Sequence, residues 1–334
     1  MSNSRYTRLL LVAGVCSIVL LAGCATPRQT AALRHSPPPV VPHIELETVP
    51  FFPQERFQCG PAALATVLAE QGLAVTPEQL EPEVYLPQRH GSLQVELVAA
   101  ARNRGRIAYP LAAPELDHLL IEVAAGHPVL VMQNLGVNWL PQWHYAVVVG
   151  YDLKNGTVML RSATTRRRVI TLAVFERTWS RAGYWGVVIV PPEQIPPTAS
   201  PLGFLRAAHD LETTGRQDDA ATAYRSALLR WPDESAAPLA LGNLEYRRGN
   251  LRAAESVFRE ALMRHPQQPE LWNNLAYTLA ALRCSTEAAA AVRCARQLAP
   301  QDQNIINSER EISQWAVDGA AAPVACAPIA CPHR

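Results

Sequence analysis

Hydrophobic positions change their spacing along the chain, and each change marks a different kind of element. An apolar run covers residues 9–21, and apolar residues recur at helical spacing after Cys59. Residues 127–134, 145–149 and 183–190 are rich in continuous apolar positions, which predict buried strands. Alanine-rich helical spacing prevails after residue 201. The pattern therefore predicts helices packed on an antiparallel sheet, an α+β domain, followed by an all-α array.

The helical half repeats with a period of 34 residues. Helix-pair repeats of this length need small alanines where helices touch, a bulky residue opposite, and a proline that stops the second helix. The pattern resembles the tetratricopeptide repeat (TPR), which implies a solenoid of three repeats over residues 201–303 that docks a protein or peptide partner. The equivalent positions are Pro232, Pro266 and Pro300; Ala227, Ala261 and Ala295; and Tyr224, Phe258 and Val292.

The turns inside these helix pairs carry glycine in two of the three repeats. Gly215 and Gly249 are equivalent, and Arg283 stands where a third glycine is expected. Residues 304–318 then have the pattern of a capping helix, and residues 319–334 predict a loose, disordered tail.

Proline-rich segments separate the predicted domains. Residues 24–47 contain a triple proline and no amphipathic period, which predicts an extended spacer. A second break, residues 190–201, ends an α+β domain that we place at residues 48–195.

Composition narrows the classes of function. The chain has 334 residues, of which 49% are hydrophobic and 18% charged, enough apolar material for two cores. The net charge is +1 and Lys154 is the single lysine, so we expect no nucleic-acid partner. No G-x-x-x-x-G-K-[ST] phosphate loop is present, so we expect no ATP hydrolysis by this chain.

The first residues have the organisation of a signal segment. Arg5 and Arg8 precede the apolar run, which is too short to span a bilayer comfortably. The run ends at Leu-Ala-Gly-Cys24, which resembles the lipobox of bacterial lipoproteins and implies a signal peptide over residues 1–23 and acylation of Cys24. Ala25 after the cysteine resembles the sorting pattern for the outer membrane, so we expect a lipid-anchored chain on its periplasmic side. The alternative is an ordinary signal peptide with an incidental cysteine.

In that oxidising compartment the remaining cysteines can pair. Cys59 stands alone in the first half, so we expect it to stay a free thiol. Cys284 and Cys294 are separated by roughly 12 to 15 Å of helix and cannot bridge each other. Either can pair with Cys326 or Cys331, or the last two can pair with each other. For Cys294 we favour the alternative of a small core residue without a disulfide.

Residues in the first half have the chemistry of a thiol hydrolase. Cys59 opens a predicted helix, whose N-terminal partial charge favours thiolate. Gln54 lies on the extended approach and can donate its amide to an oxyanion. His144 begins a predicted strand and is the candidate general base.

These three residues, with Cys-Gly-Pro-Ala-Ala-Leu and the strand HYAVVVGYD about 85 residues later, resemble the papain-like cysteine peptidases that process double-glycine leaders of bacteriocins. The resemblance covers residues 48–195 and implies a papain-like fold, with Cys59 as nucleophile, His144 as base and Gln54 in the oxyanion hole. It implies hydrolysis of a peptide or protein substrate through a thioester, without metal or cofactor.

One feature of that family is missing: no Asp or Asn lies on the next predicted strand, where the family has a residue that orients the imidazole. Asp152 is eight strand residues from His144, roughly 26 Å away. If residues 152–156 form a hairpin loop, Ser162 is the best candidate to orient His144.

Three functions compete. The leading one is a lipid-anchored cysteine peptidase with a TPR docking module. The second is a degenerate, peptide-binding scaffold, and the third is acyl or amide transfer by the same residues. Trp139 and Trp143 precede His144 in a loop that either lines a substrate groove or covers the core.

Overall fold

A computed structural model describes residues 26–54, 57–111, 115–318 and 326–332. The predicted signal peptide over residues 1–23 and the predicted lipidation site Cys24 lie outside the described residues. Over the described ranges, none of the helices has both the length and the apolar character needed to cross a membrane.

The chain forms two compact units. One contains the described residues up to Leu97 together with Pro110–Val188, and the other contains Val98–Tyr109 and the residues from Ile189 onward. The domain boundaries inferred from the sequence, at residues 48–195 and 201–303, stay predictions.

A mainly antiparallel sheet has most of its strands in the first unit. Its strand order is β4-β9-β5-β6-β7-β8, with β1 also pairing with β6, and β2 and β3 form a separate pair. The strands are β1 (His43–Glu45), β2 (Tyr85–Leu86), β3 (Gly91–Ser92), β4 (Ile107–Pro110), β5 (Val129–Asn134), β6 (Trp143–Asp152), β7 (Thr157–Ser162), β8 (Thr165–Thr171) and β9 (Gly186–Val190).

Helices pack against this sheet as the sequence predicts. The helix that begins at Cys59 contacts β6, and residues from Gly60 to Leu68 are buried without interruption. Strands β5, β6 and β9 are buried along most of their length, which explains their continuous apolar runs. The helices are α1 (Arg28–His35), α2 (Cys59–Glu70), α3 (Pro77–Val84), α4 (Gln94–Asn103), α5 (Leu116–Ala124) and α6 (Leu172–Ser180).

Residues 26–47, the described part of the predicted spacer over residues 24–47, do not form the extended segment that the prolines predicted. Within the described part, α1 packs on α5 and α6, and β1 pairs with β6. The buried carboxylate of Glu176 accepts hydrogen bonds from the backbone N–H of Gln29 at 2.9 Å and of Thr30 at 2.6 Å. An anion at a helix N-terminus is favourable, and this long-range contact has no local sequence signal.

The second unit is dominated by helix pairs. Each pair corresponds to one 34-residue repeat, and α13 follows as the predicted cap. Gly242 is required where two helices cross, because a Cβ there would lie 2.4 Å from the ring of Phe258. The helices are α7 (Pro201–Thr213), α8 (Gln217–Arg230), α9 (Ala236–Arg247), α10 (Leu251–Arg264), α11 (Pro269–Ala281), α12 (Ser285–Leu298) and α13 (Gln303–Asp318).

The turns inside the three pairs share one backbone conformation. Gly215 has a φ of +82° and Gly249 one of +77°, and Arg283 adopts +62° at the equivalent position. A side chain makes this left-handed conformation costly, so the third turn is strained relative to the other two.

The expected disordered tail is wrong for residues 326–332. Two disulfides, Cys284–Cys326 and Cys294–Cys331, fix this segment to the third repeat. Arg259 donates to the carbonyl oxygens of Ala327 at 2.7 Å and Pro328 at 3.4 Å. The segment is held by covalent and polar contacts that its small, proline-rich composition does not indicate.

The disulfides predict a measurable stabilisation. Because they close loops of 42 and 37 residues, they restrict the unfolded chain. The Cys326→Ala/Cys331→Ala variant should lose about 2–4 kcal/mol of unfolding free energy in urea denaturation followed by circular dichroism. Reductant should lower the midpoint of the native chain and leave that of the variant unchanged. Equal midpoints for native chain and variant without reductant would contradict the stabilising role.

The third turn provides a second stability prediction. Arg283→Gly should raise the free energy of unfolding by about 1 kcal/mol, because glycine adopts positive φ without strain. The matched change Gly249→Arg should lower it by a similar amount, since a Cβ at Gly249 meets no other atom within 4 Å and only the backbone is affected. Urea titrations of both variants measure the two effects, and shifts of the same sign would contradict the assignment.

Candidate functional site

A cavity of about 1030 Å³ opens in the first unit and contains the residues singled out in the sequence. Its walls come from the approach to α2, the β2–β3 pair, and the beginning of β6. Gln54, Cys59 and His144 all line it, together with Tyr145 and Ala163. The fold therefore brings together three predicted site residues that are up to 90 positions apart in the chain.

Cys59 is the first residue of α2 and the free cysteine of the described chain. The next residue must be glycine, because a Cβ on Gly60 would lie 2.3 Å from Oγ of Ser92. The thiol is largely buried, and backbone hydrogen bonds from Tyr145 and Gly60 reach it.

Burial raises the pKa of the Cys59 thiol, whereas the backbone hydrogen bonds from Tyr145 and Gly60 lower it by less. The sequence predicted the opposite direction from the helix terminus alone. The correction follows from desolvation, which outweighs the helix terminus here. The resting group is therefore a thiol at neutral pH.

His144 is the second residue of β6 and lies opposite Gln133 of β5. Its Nε2 lies 2.8 Å from Oγ of Ser162, the residue that the sequence proposed as orienter. Burial and, to a lesser extent, the positive charge of Arg168 together lower the pKa of His144 to about 4. The imidazole is therefore neutral at pH 7.

The hydrogen bond to Ser162 gives the two imidazole nitrogens of His144 different roles. In the tautomer whose Nε2–H donates to the Ser162 hydroxyl, Nδ1 carries the lone pair that can take a proton from a thiol in the cavity. Neutral imidazole is the form that can accept that proton. Cys59 and His144 thus rest as a neutral thiol and a neutral base that line the same cavity, rather than as an ion pair.

Three consecutive residues at the end of β7 organise this region. Arg161 is buried and donates to backbone carbonyls, including that of Val49 at 3.2 Å and that of Arg166 at 2.9 Å. Ser162 bonds to His144, and the carbonyl oxygen of Ala163 accepts from the backbone N–H of Gln54 at 3.0 Å. The end of one strand thus positions both the base and the candidate oxyanion donor.

Asp152 is excluded as the orienter of His144. Its carboxylate accepts from the backbone N–H of Asn155 at 2.9 Å and from its side-chain amide at 2.7 Å. It also lies 3.6 Å from His43 and belongs to the turn at the other end of β6. The strand-length argument from the sequence is therefore consistent with the structure.

Sequence reasoning missed several residues of the site. Ser92 has a buried Oγ without a hydrogen-bond partner in the described chain, and its carbonyl accepts from the Tyr145 hydroxyl at 3.2 Å. Phe57 and His90 also line the cavity, and the centroids of their rings are 5.3 Å apart. No sequence pattern identifies these residues, although an arginine inside the apolar β7 segment was a possible signal for Arg161.

One cluster of metal-ligand side chains occurs in the described ranges, and its residues belong to the second unit. Cys284, Glu287 and Cys326 bring their ligand atoms within 4.8 Å of one another. Both cysteines are engaged in their disulfide, so they cannot bind a metal in this state.

Each half of the chain matches a known protein family. The Peptidase_C39 like family matches residues 46–187, and the Tetratricopeptide repeat family matches residues 205–262 and 239–303. The chain carries a C39-like peptidase domain followed by TPR repeats. The predicted class, an α+β domain with an antiparallel sheet followed by an all-α TPR solenoid, is confirmed.

Solved structures similar to each half are known. A C39-like peptidase from Bacillus anthracis is 19% identical, and the match covers 44% of this chain and 97% of that one with a TM-score of 0.38. The first TPR of Spaghetti (RPAP3), bound to the HSP90 peptide SRMEEVD, is 20% identical and matches over 34% and 93% of the chains with a TM-score of 0.32. The first TPR domain of human RPAP3 is 19% identical over 35% and 93%, with a TM-score of 0.33. Among curated proteins, no relative matches this chain.

The electrostatics of His144 in the C39-like domain can be tested without an activity assay. Arg168→Gln removes a positive charge that disfavours the imidazolium, so the pKa of His144 should rise above its value of about 4. An NMR titration of the imidazole carbon-bound protons measures this pKa. Arg166→Gln is the matched control and should leave it unchanged. A pKa near 6.5 in the unaltered chain would contradict the buried, neutral state of His144.

Proposed function

We propose that the chain is a lipid-anchored, periplasmic cysteine peptidase of the bacterial outer membrane that hydrolyses peptide bonds through Cys59 and His144. The observation that carries the proposal is the hydrogen bond of 2.8 Å between Nε2 of His144 and Ser162, beside a cavity that also contains Cys59 and Gln54. Orientation of a base by a third group beside a nucleophile is the arrangement that thiol hydrolysis needs.

In the first step, Nδ1 of His144 takes the thiol proton as the sulfur of Cys59 attacks the peptide carbonyl. A C–S bond forms and the carbonyl oxygen becomes an oxyanion, to which the amide of Gln54 donates. The imidazolium then gives its proton to the leaving nitrogen as the C–N bond breaks, which leaves a thioester on Cys59.

In the second step, His144 removes a proton from water as the water oxygen attacks the thioester. The C–S bond breaks, the acid product leaves, and the thiol of Cys59 recovers its proton from the imidazolium. Ser162 keeps the ring in the same orientation through both steps by holding Nε2. A hydroxyl stabilises imidazolium less than a carboxylate does, so this geometry predicts slower chemistry than an acidic orienter would support.

The neutral resting pair fits a peptidase that is activated by substrate. Desolvation keeps the thiol protonated and the imidazole neutral, so little thiolate is present to be oxidised in an oxidising compartment. Attack and proton transfer then occur together when a carbonyl binds, because His144 is already in its basic form.

The TPR repeats are the docking module of this proposal. Repeats of this type support interaction with proteins, and the structural neighbour bound to an HSP90 peptide is an example in another protein. We propose that the repeats bind the peptide or protein substrate, or a protein partner that presents it. The partner is taken to be a polypeptide because the array lacks a strongly basic composition.

Membrane attachment is proposed through acylation of Cys24. The support is the sequence pattern of the first residues, in which an apolar run is followed directly by Leu-Ala-Gly-Cys. The two disulfides of the second unit are consistent with an oxidising compartment such as the periplasm.

A second candidate is a peptide-binding scaffold without catalysis. Its support is the raised pKa of Cys59 together with a serine, rather than a carboxylate, on His144. In that case the cavity binds peptides and the TPR repeats perform the principal function.

Hydrolysis of fluorescein-labelled casein and of synthetic peptides with Gly-Gly junctions separates the two candidates. For the peptidase, Cys59→Ala should abolish turnover and His144→Ala should lower kcat about 10²–10⁴-fold, the usual contribution of a general base. Ser162→Ala should lower kcat with a shifted pH profile, and Ser162→Thr should restore most of it because the hydroxyl is retained.

The scaffold predicts a different set of results. Peptides would bind with unchanged affinity to Cys59→Ala and to the unaltered chain, and no fragments would be found by mass spectrometry. Normal turnover in His144→Ala would exclude the proposed mechanism.

A further inference from the structure

An uncharged hairpin extends from the end of the sheet where His144 lies. We call residues 134–143, which join β5 to β6, the Trp139 hairpin; no residue in it is charged. Trp139 is 84% exposed and Leu140 59% exposed, and Leu135, Val137 and Trp143 are also exposed. Clustered exposed apolar side chains mark an interaction surface rather than part of a core.

Hydrogen bonds within the Trp139 hairpin fix its conformation. Oδ1 of Asn134 accepts from the N–H groups of Gly136 at 3.0 Å and Gln142 at 2.9 Å. Val137 and Leu140 exchange backbone hydrogen bonds of 3.2 and 3.1 Å. Gly136 is required because a Cβ there would lie 2.3 Å from the Leu140 carbonyl oxygen. The apolar tip is therefore presented by a preformed turn, so little order is lost on binding.

Helix α6 connects the base of this hairpin to the beginning of α1. Arg181, directly after α6, donates to the carbonyl oxygen of Asn134 at 3.0 and 3.2 Å. Glu176 of the same helix accepts from the backbone and hydroxyl of Thr30 at 2.6 Å. Glu176 is the middle residue of α6 and Arg181 follows its last residue, so the two contacts are separated by about 8 Å along the helix axis.

A second contact, with the beginning of α5, locates α1 independently of α6. Gln29 accepts through its side-chain oxygen from the backbone N–H of Leu116 at 2.7 Å, where α5 begins. Helix α5 ends at Ala124, shortly before β5 starts at Val129, so the two run in opposite directions. The beginning of α5 therefore lies toward the end of β5 from which the Trp139 hairpin extends.

The segment from Cys24 to α1 and the Trp139 hairpin have similar maximum lengths. Four residue steps separate Cys24 from Arg28, the first residue of α1, and they span at most about 14 Å. The hairpin extends about four residues beyond Asn134, roughly 13 Å at strand spacing. A lipid attached at residue 24 and the tip of the hairpin can thus reach the same surface.

We propose that the Trp139 hairpin inserts its tip into the membrane interface and forms a second contact with the bilayer beside the acylated Cys24. The inference rests on the lipid anchor of the proposed function. Trp139 and Leu140 supply apolar area, the indole N–H can remain among polar headgroups, and the absence of charge avoids the cost of burying ions in lipid. Exposed Arg28 at the start of α1 adds attraction to anionic phospholipids.

This contact would set the direction of the active site. Gln142 and Trp143 of the hairpin line the same cavity as Cys59 and His144. The cavity would therefore open beside the membrane surface, and its substrates would be polypeptides held at that surface.

Quenching of tryptophan fluorescence by brominated lipid tests the proposal. The full chain, extracted from membranes, is reconstituted in vesicles of phosphatidylethanolamine and phosphatidylglycerol that contain brominated phosphatidylcholine. The unaltered chain should be quenched, and Trp139→Ser should lose most of that quenching. Leu140→Ser should also reduce it although every tryptophan is retained.

Trp315→Ser is the matched control, because Trp315 is also exposed but lies on α13. Its quenching should equal that of the unaltered chain. A chain that sediments with the vesicles but shows no quenching, or quenching that persists in Trp139→Ser, would overturn the proposal. Unchanged quenching with a raised KM for peptides in Trp139→Ser would instead make the hairpin a substrate-binding element and would also overturn it.

The lipid anchor is tested separately by mass spectrometry of residue 24. If Cys24 carries no acyl group, the anchor of the proposed function fails. The hairpin remains testable in that case, because a hexahistidine tag placed before Ala25 attaches the chain to vesicles with nickel-chelating lipid. The same quenching pattern is then expected, and its absence would contradict the hairpin proposal alone.

Discussion

The hydrogen bond between His144 and Ser162 is the contact on which the candidate site depends. It engages Nε2 of the imidazole and leaves Nδ1 for proton transfer, and it joins the start of β6 to the end of β7. The neighbours of Ser162 extend the same arrangement, since Arg161 holds the segment before Gln54 and Ala163 accepts from Gln54 itself. A distortion of this strand end would therefore move the base and the oxyanion donor together.

Burial has two opposite consequences at this site. It removes water from the thiol and the imidazole, which keeps both neutral, and it strengthens every hydrogen bond that a reacting carbonyl would receive. The helix terminus at Cys59 and the backbone N–H of Tyr145 lower the thiol pKa by less than burial raises it. A site of this kind is unreactive until a bound substrate carbonyl develops the negative charge that the hydrogen-bond donors of the site can stabilise.

The sequence predicted the periodic and motif-based features well. The 34-residue period, the buried strands and the positions of Cys59, Gln54 and His144 all follow from local spacing or from short motifs. Ser162 could be proposed because hairpin pairing is geometric, although its actual bond could only be seen in the structure. The errors concern long-range contacts: Glu176 fixes α1, two disulfides fix residues 326–332, and desolvation reverses the pKa shift of Cys59. Composition and spacing carry no information on these contacts.

The central claim is that His144 activates Cys59, and the rate of alkylation of Cys59 by iodoacetamide tests it most directly. Mass spectrometry can follow this thiol specifically, since the four other cysteines of the described chain are in disulfides. The account predicts alkylation that is slow near pH 7, because the resting thiol is protonated, that rises with pH, and that slows further in His144→Ala because the base that takes the thiol proton is lost. The same rate and pH dependence in both proteins would contradict it and would favour the scaffold.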